Sequence, residues 1–384
     1  MGSLLRALKN TIRHTRPPRR EISSLPQILP TDTPIEEETV PYYKPAHYYP
    51  VRIGDDEYTV LKVSTSLPDF PSTTDRELRV YEHLSKVDST HLGQSLIREL
   101  YDSFDLQGPG GNHRCLVLQP MHMTLLDMMG MNPKPFDLPL LKMTITRLLS
   151  ALDFLHTEAG VVHTDLKTDN LMLSLEDDSM LADFAMAEAE TPSARKMIDE
   201  SRIIYSSRKF RLPRQGTSFG LPTLCDFDEA RIGATHESGP FVQPHIYRAP
   251  EIIFEMPWGA PVDIWNLAGL IWDLFEGEHL FKDMFSPKGR HDAFKHLALM
   301  VALVGAPPSE FVQRSDTTEQ CFDSTGTWNA HTMEPIPTIS LETLEKRLSG
   351  DEKELFLAFL RSMLKWLPEE RLTAKQLLDH PFLH

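Results

Sequence analysis

Between positions 141 and 155, apolar residues recur at steps of four, three, four and three: Leu141, Ile145, Leu148, Leu152 and Leu155. That period fits one face of an α-helix and no strand. Just beyond it stands His163-Thr164-Asp165-Leu166-Lys167-Thr168-Asp169-Asn170. The octet holds an imidazole, two carboxylates, an ammonium group and an amide. Following a long apolar helix, it predicts a tight loop whose polar side chains face one site. Alone, such an octet also fits a loop with a helix cap. Upstream, Tyr58–Val63 and Cys115–Gln119 have the composition of strands. Thr74–Leu84 reads as a helix with Leu78, Tyr81 and Leu84 on one face. Downstream, periodic runs lie at 261–276, 292–304 and 351–365. A small strand-bearing part therefore precedes a larger helical part, and the fold class is α+β.

The 384 residues are 41% hydrophobic, enough to bury a sizeable core. No apolar run approaches the roughly 18 residues that a membrane span needs. Cys115, Cys225 and Cys321 are far apart and odd in number, which suits a reducing compartment rather than a disulfide framework. The net charge of −16 argues against direct nucleic-acid binding and suits a basic partner. Residues 1–20 hold six basic residues and no acid, so residues 21–384 carry −22. The first twenty residues could form a basic amphipathic helix through Leu4, Leu5, Leu8 and Ile12. That pattern fits a solvated basic tail ahead of a mitochondrial presequence. Residues 21–50, rich in proline and tyrosine, read as an extended lead-in and not a packed element.

Further motifs follow in order. Cys225-Asp226-Phe227-Asp228 lies after an apolar stretch. Tyr247-Arg248-Ala249-Pro250-Glu251 comes next, then Asp263-Ile264-Trp265 twelve residues after Glu251. Pro368-Glu369-Glu370-Arg371 closes the series, and Lys62 with Glu77 precedes the octet. In this order the set resembles the eukaryotic protein kinases: a strand lysine, H-x-D-L-x-x-x-N, D-F-G and A-P-E. The resemblance covers roughly residues 41–384 and implies a bilobed fold. It implies a basic, Pro-rich tail (1–40), a truncated β-rich small lobe (41–120) and a large helical lobe (121–384).

The resemblance implies ATP and Mg²⁺ as cofactors. Phosphoryl transfer needs a carboxylate to accept the hydroxyl proton and oxygens to hold the metal. Asp165 would be that base, with Lys167 near the γ-phosphate. Asn170 and Asp226 would be metal ligands. Lys62, paired with Glu77, would position the α- and β-phosphates. Leu118, Gln119 and Met121 would meet the adenine. A buried Glu251–Arg371 ion pair is implied, as is anchoring of the catalytic loop by Asp263.

Four stretches narrow the resemblance to the SR-protein kinase family, especially its fungal members. They are YYKPAHYYPVRIGD, the HTD at 163–165, FVQPHIYRAPE and DIWNLAGLIWDLFEGEHLF. HLALMVALVGAPPSEF also resembles the helical insert of this kinase group. Asn170 and Asp226 are 56 positions apart, and a long insertion here is a mark of the same family. It spans about 176–220, has little recognisable structure, and reads as a surface spacer. The family phosphorylates serines in Arg/Ser-rich splicing factors, which implies a monomer working in cytoplasm and nucleus. Thr164 replaces the arginine that usually binds a phosphorylated activation loop, which implies activity without that phosphorylation.

Two departures stand against this pattern. No G-x-G-x-x-G occurs in residues 1–61, and Gly54-Asp55 runs almost directly into Tyr58–Val63, where 25–30 residues are expected. Either a segment is missing from this chain or the loss is genuine. Asp228 also replaces the D-F-G glycine, where Gly permits backbone angles that Asp adopts less readily. Its charge would repel Asp226 by roughly 2 kcal/mol at about 7 Å and an effective dielectric of about 20. The alternatives to an active protein kinase are therefore an impaired pseudokinase that binds Arg-rich segments, or a small-molecule phosphotransferase sharing the H-x-D-x-x-x-x-N loop.

Overall fold

The computed structural model describes residues 25–41, 43–48, 58–65, 73–108, 110–132, 134–177, 179–200, 202–214, 219–239, 242–282, 284–286 and 288–384. Gly54-Asp55 and the basic segment 1–20 lie outside these residues.

Among the described residues, the small lobe carries an antiparallel sheet of three strands, β1 (Val60–Val63), β2 (Leu100–Gly108) and β3 (Gly111–Leu118), in the order β1-β3-β2. Among the described residues β1 is an edge, so the strand that carries Lys62 pairs on one side only. β2 and β3 form a hairpin closed at the Gly108–Gly111 pair. Helix α1 (Thr73–Leu84) buries Leu78, Val80, Tyr81 and Leu84 against this sheet and the large lobe, and buries Glu77 among them. Strand β3 runs longer than the Cys115–Gln119 segment expected from composition. Its first half alternates partly exposed with buried residues, a weaker signal than the apolar run that ends it.

The large lobe is helical. Helix α2 (Leu125–Met131) follows the connection from the sheet. Helix α3 (Leu138–Asp153) starts at Asp137, whose side chain accepts from the Leu140 amide, and buries Leu141, Ile145, Leu148 and Leu152 on the predicted face. A wider π-helical turn, Phe154–Ala159, ends at Gly160 with φ 60°, a left-handed cap that glycine adopts without strain.

The insertion differs from the expectation of an unstructured spacer. It contains helix α4 (Ser179–Glu190) and a hairpin, Arg195–Met197 with Ile203–Tyr205. The lead-in differs as well, because it is clamped to that hairpin. Ile28 bridges to Arg195, with Leu29 N–H donating to Arg195 O at 2.9 Å. Lys196 is 2% exposed and donates to Thr33 O (2.9 Å) and to the Glu38 carboxylate (2.8 Å). Arg202 is also buried and donates to the main-chain oxygens of Pro45 and Tyr48. On its other side the insertion touches the lobe connection. Lys209 pairs with Asp127 at 2.8 Å and holds that carboxyl below its usual range. Phe210 and Phe219 flank the His122 ring.

Helix α5 (Pro261–Glu276) is apolar nearly all round, and every residue from Val262 to Phe275 is buried. Such a helix is an interior pillar rather than a surface element. Helices α6 (Ala293–Val304) and α7 (Gly350–Met363) complete the core, which is continuous through both lobes.

Candidate active site

The catalytic loop hangs from α5. Asp263, fully buried, accepts the amides of His163 (Oδ2, 2.8 Å) and Thr164 (Oδ1, 2.8 Å), and His156 Nε2 lies 2.9 Å from its Oδ2. One turn on, Asn266 donates to Leu166 O at 2.7 Å. Thr164 is held at φ 66°, a strained angle for a β-branched residue. Its N–H, donating to Asp263, and its hydroxyl, donating to Glu229 O (2.7 Å), fix it there. Arg371 pairs bidentately with Glu251 at 2.6 and 2.7 Å and also donates to Pro261 O, so a fully buried ion pair ties this frame together. Losing one partner of such a pair costs about 3–5 kcal/mol.

On this frame the polar groups converge. Asp165 Oδ2 accepts from Lys167 Nζ at 2.7 Å and from Asn170 Nδ2 at 2.8 Å. Asn170 also donates to Asp165 O at 2.8 Å. Burial opposes the Lys167 charge, but the Asp165 carboxylate outweighs it and raises the ammonium pKa. Lys62 Nζ lies 2.7 Å from Glu77 Oε2 and 2.6 Å from Asp226 Oδ1, so one ammonium joins β1, α1 and the D-F-D segment. Burial works against that charge too, and Glu77 and Asp226 together more than offset it. Glu77, 1% exposed, has its pKa raised by burial despite Lys62.

Asp226 takes φ 64°, a left-handed angle that aspartate tolerates better than most residues. Phe227 secures the turn, its ring set edge-on to His163 and Tyr81, while the His163 Nε2 lies 3.1 Å from Cys225 O. The strain expected at Asp228 is absent, because the positive φ falls on Asp226. The charge expectation holds in direction: burial, then Asp226, raises the Asp228 pKa.

Of the residues expected to meet adenine, Leu118 and Met121 are buried at the lobe connection. Both main-chain polar groups of Gln119 already have partners. Its amide donates to Glu99 O at 3.0 Å, and its carbonyl accepts from Arg98 Nε at 2.9 Å. A cavity of about 320 Å³ lies elsewhere, between α6 and α7, lined by Leu303, Val304, Leu364 and Trp366. It holds none of these residues and does not mark the site.

The donor set fits a magnesium nucleotide. Mg²⁺ is usually bound by one or two protein oxygens together with substrate phosphates. Asp226 offers a carboxylate, and Asn170 points its amide nitrogen at Asp165, leaving its oxygen for a cation. With two protein oxygens on offer, the ion would be shared with the phosphates. When bound, it would neutralise charge on the transferring phosphoryl group. Asp165, oriented by Lys167 and Asn170, would take the proton of an incoming hydroxyl.

Asn266, Arg76 and Glu229 escaped the sequence reading. Asn266 had a signal, its i,i+3 spacing from Asp263 on one helix. The other two meet only through the tertiary fold.

A bilobed arrangement with these groups in the cleft defines a phosphotransferase of protein-kinase type. Sequence comparison agrees: the protein kinase domain family matches residues 59–213 and 215–383, and the chain belongs to that family. It is 39% identical to a serine/threonine protein kinase of Aspergillus fumigatus, over 96% of this chain and 95% of that one. It is 28% identical to the serine/threonine-protein kinase SRPK of Physarum polycephalum, over 91% of each. It is 27% identical to the dual specificity protein kinase lkh1 of Schizosaccharomyces pombe, over 85% of this chain and 43% of that one. The Aspergillus alignment runs over 393 positions, more than the 384 residues here, so that relative carries residues this chain lacks. The chain is an ATP-dependent serine/threonine protein kinase.

Proposed function

We propose that this kinase transfers the ATP γ-phosphate, with Mg²⁺, to serines in Arg/Ser-rich proteins, as a monomer of the SR-protein kinase type acting in cytoplasm and nucleus. The substrate class is what the resemblance to the SR-protein kinases implies, and the charge of the chain suits it. Residues 21–384 carry −22 and would attract an arginine-rich chain from a distance. The resemblance to the Physarum SRPK supports the same reading. The residues proposed to act are Asp165 as base, Lys167 beside the γ-phosphate, Asn170 and Asp226 on the metal, and Lys62 with Glu77 on the other phosphates.

A second reading, an impaired kinase that retains only binding, is favoured by the missing glycine-rich loop and by Asp228 in place of the D-F-G glycine. The described small-lobe sheet has three strands, and no glycine-rich loop stands in the sequence before Lys62. Such a loop would cover the phosphates and exclude water. Radiolabelled transfer to an Arg-Ser repeat peptide decides between them. The parent chain should label the peptide, and Asp165→Ala should lower the rate by about 10²–10⁴-fold. A folded parent that binds the peptide without labelling it establishes the second reading. Labelling of a small alcohol and no peptide would overturn both.

A further inference from the structure

We infer that Arg76 and Glu229 form a tie that sets the position of Glu77, and that Arg76 is a positioning residue for nucleotide binding. Arg76 precedes Glu77 on α1. Its Nη1 donates to Asp228 O at 2.8 Å and lies 3.1 Å from Glu229 Oε2. Glu229 is held from the other side as well. Its main-chain oxygen accepts from Thr164 Oγ1 at 2.7 Å and from Arg231 Nη1, and its carboxylate lies 3.3 Å from Arg231 Nη2. Arg231 belongs to the short strand Arg231–Ile232, which pairs with Val161–Val162 just ahead of the catalytic loop.

Three parts of the site thus meet at one glutamate: α1, the catalytic loop and the segment after Asp226. Arg76 and Glu229 are each about 40% exposed, and a lone pair so placed would contribute little. This one is not alone. The Arg76 guanidinium also grips the main chain of Asp228, two residues from the carboxylate that holds Lys62. Because residues 76 and 77 are consecutive on one helix, fixing Arg76 fixes both the rotation of α1 and its distance from the cleft. Glu77 then stands ready for Lys62 before any nucleotide arrives. The carboxylate of Glu229 supplies the charge that faces Arg76, and the Thr164 hydroxyl holds the Glu229 backbone in place.

The nucleotide-binding half of this inference rests on the kinase reading, but its structural half is tested without turnover. The variants are Arg76→Gln, Glu229→Gln, the double variant, and Arg76→Lys as the conservative control. Hydrogen exchange of the α1 amides is measured in nucleotide-free protein, with the α5 amides reporting that the fold is intact. Binding of Mg·ATP is then titrated. Each single Gln variant should speed α1 exchange and weaken nucleotide binding about five- to tenfold, in the ordinary range of site coupling. The double variant should lose no more than either single, and Arg76→Lys should recover most of the loss. Unchanged α1 exchange in Arg76→Gln overturns the tie, as does a double variant that multiplies the two single losses. Faster α1 exchange in a chain whose parent binds no Mg·ATP upholds the tie and overturns the kinase reading instead.

Discussion

Two residues in the site, Thr164 and Asp226, sit at left-handed angles that cost of order 1–3 kcal/mol each. Each is over-determined by neighbours, Thr164 by Asp263 and Glu229, Asp226 by Lys62 and the Phe227 wedge. The strain aims Asp165 and the Asp226 carboxylate into one cleft. Another residue carries a cost readable by pH. Glu276, in the last turn of α5, is pushed up to about 7 by burial and then by the nearby Glu345 charge. Its folded pKa exceeds its unfolded one, so the native state holds that proton more tightly. The stability it contributes is complete below about 4.5 and is lost as pH rises through about 7. Thermal unfolding of the parent should therefore fall in midpoint between pH 5 and pH 8. Glu276→Gln should flatten that part of the curve. An equal slope in both proteins would count against the assignment.

At the scale of elements, the insertion and the lead-in stabilise each other. Lys196 is the centre of their contact, since it is buried and serves both a main-chain oxygen and a carboxylate. Lys196→Ala removes the ion-pair partner of Glu38 and the donor to Thr33 O, at about 1–3 kcal/mol. Limited proteolysis followed by mass spectrometry should show cleavage within residues 25–48 several-fold faster than in the parent, with α3 and α5 uncut. Cleavage spread evenly through the large lobe would show instead that the clamp belongs to the core. None of this was legible in the sequence. Helix α4 is rich in alanine and buries only Met180 fully, so it shows no apolar stripe. The hairpin strands are three residues each, too short for alternation to register. By contrast α3, α5 and the octet were legible, the helices because long faces are buried and the octet because its polar groups bond within eight residues. The Arg76–Glu229 contact spans the cleft between lobes, and no local pattern marks either residue.

Across the whole molecule, burial is uneven. The pillar α5 is enclosed from Val262 to Phe275, whereas most residues of β2 are partly or fully exposed and β1 pairs on one side only among the described residues. Local opening follows such differences. In hydrogen exchange the α5 amides should be among the last to exchange, and those of β1 and β2 should exchange well before them. Simultaneous exchange of both sets would show that the lobes open as one unit. The same asymmetry divides the chemistry. Asp165 and Asn170 belong to a loop held by Asp263 and Asn266 of the pillar, so the group that would accept the proton is tied to the buried core. Lys62 and Glu77 sit on the thin side, on a strand that is an edge among the described residues and on a helix moored through Arg76. A signal that turned this protein down would therefore act first on α1 or β1, the parts least enclosed, rather than on the loop hung from the pillar.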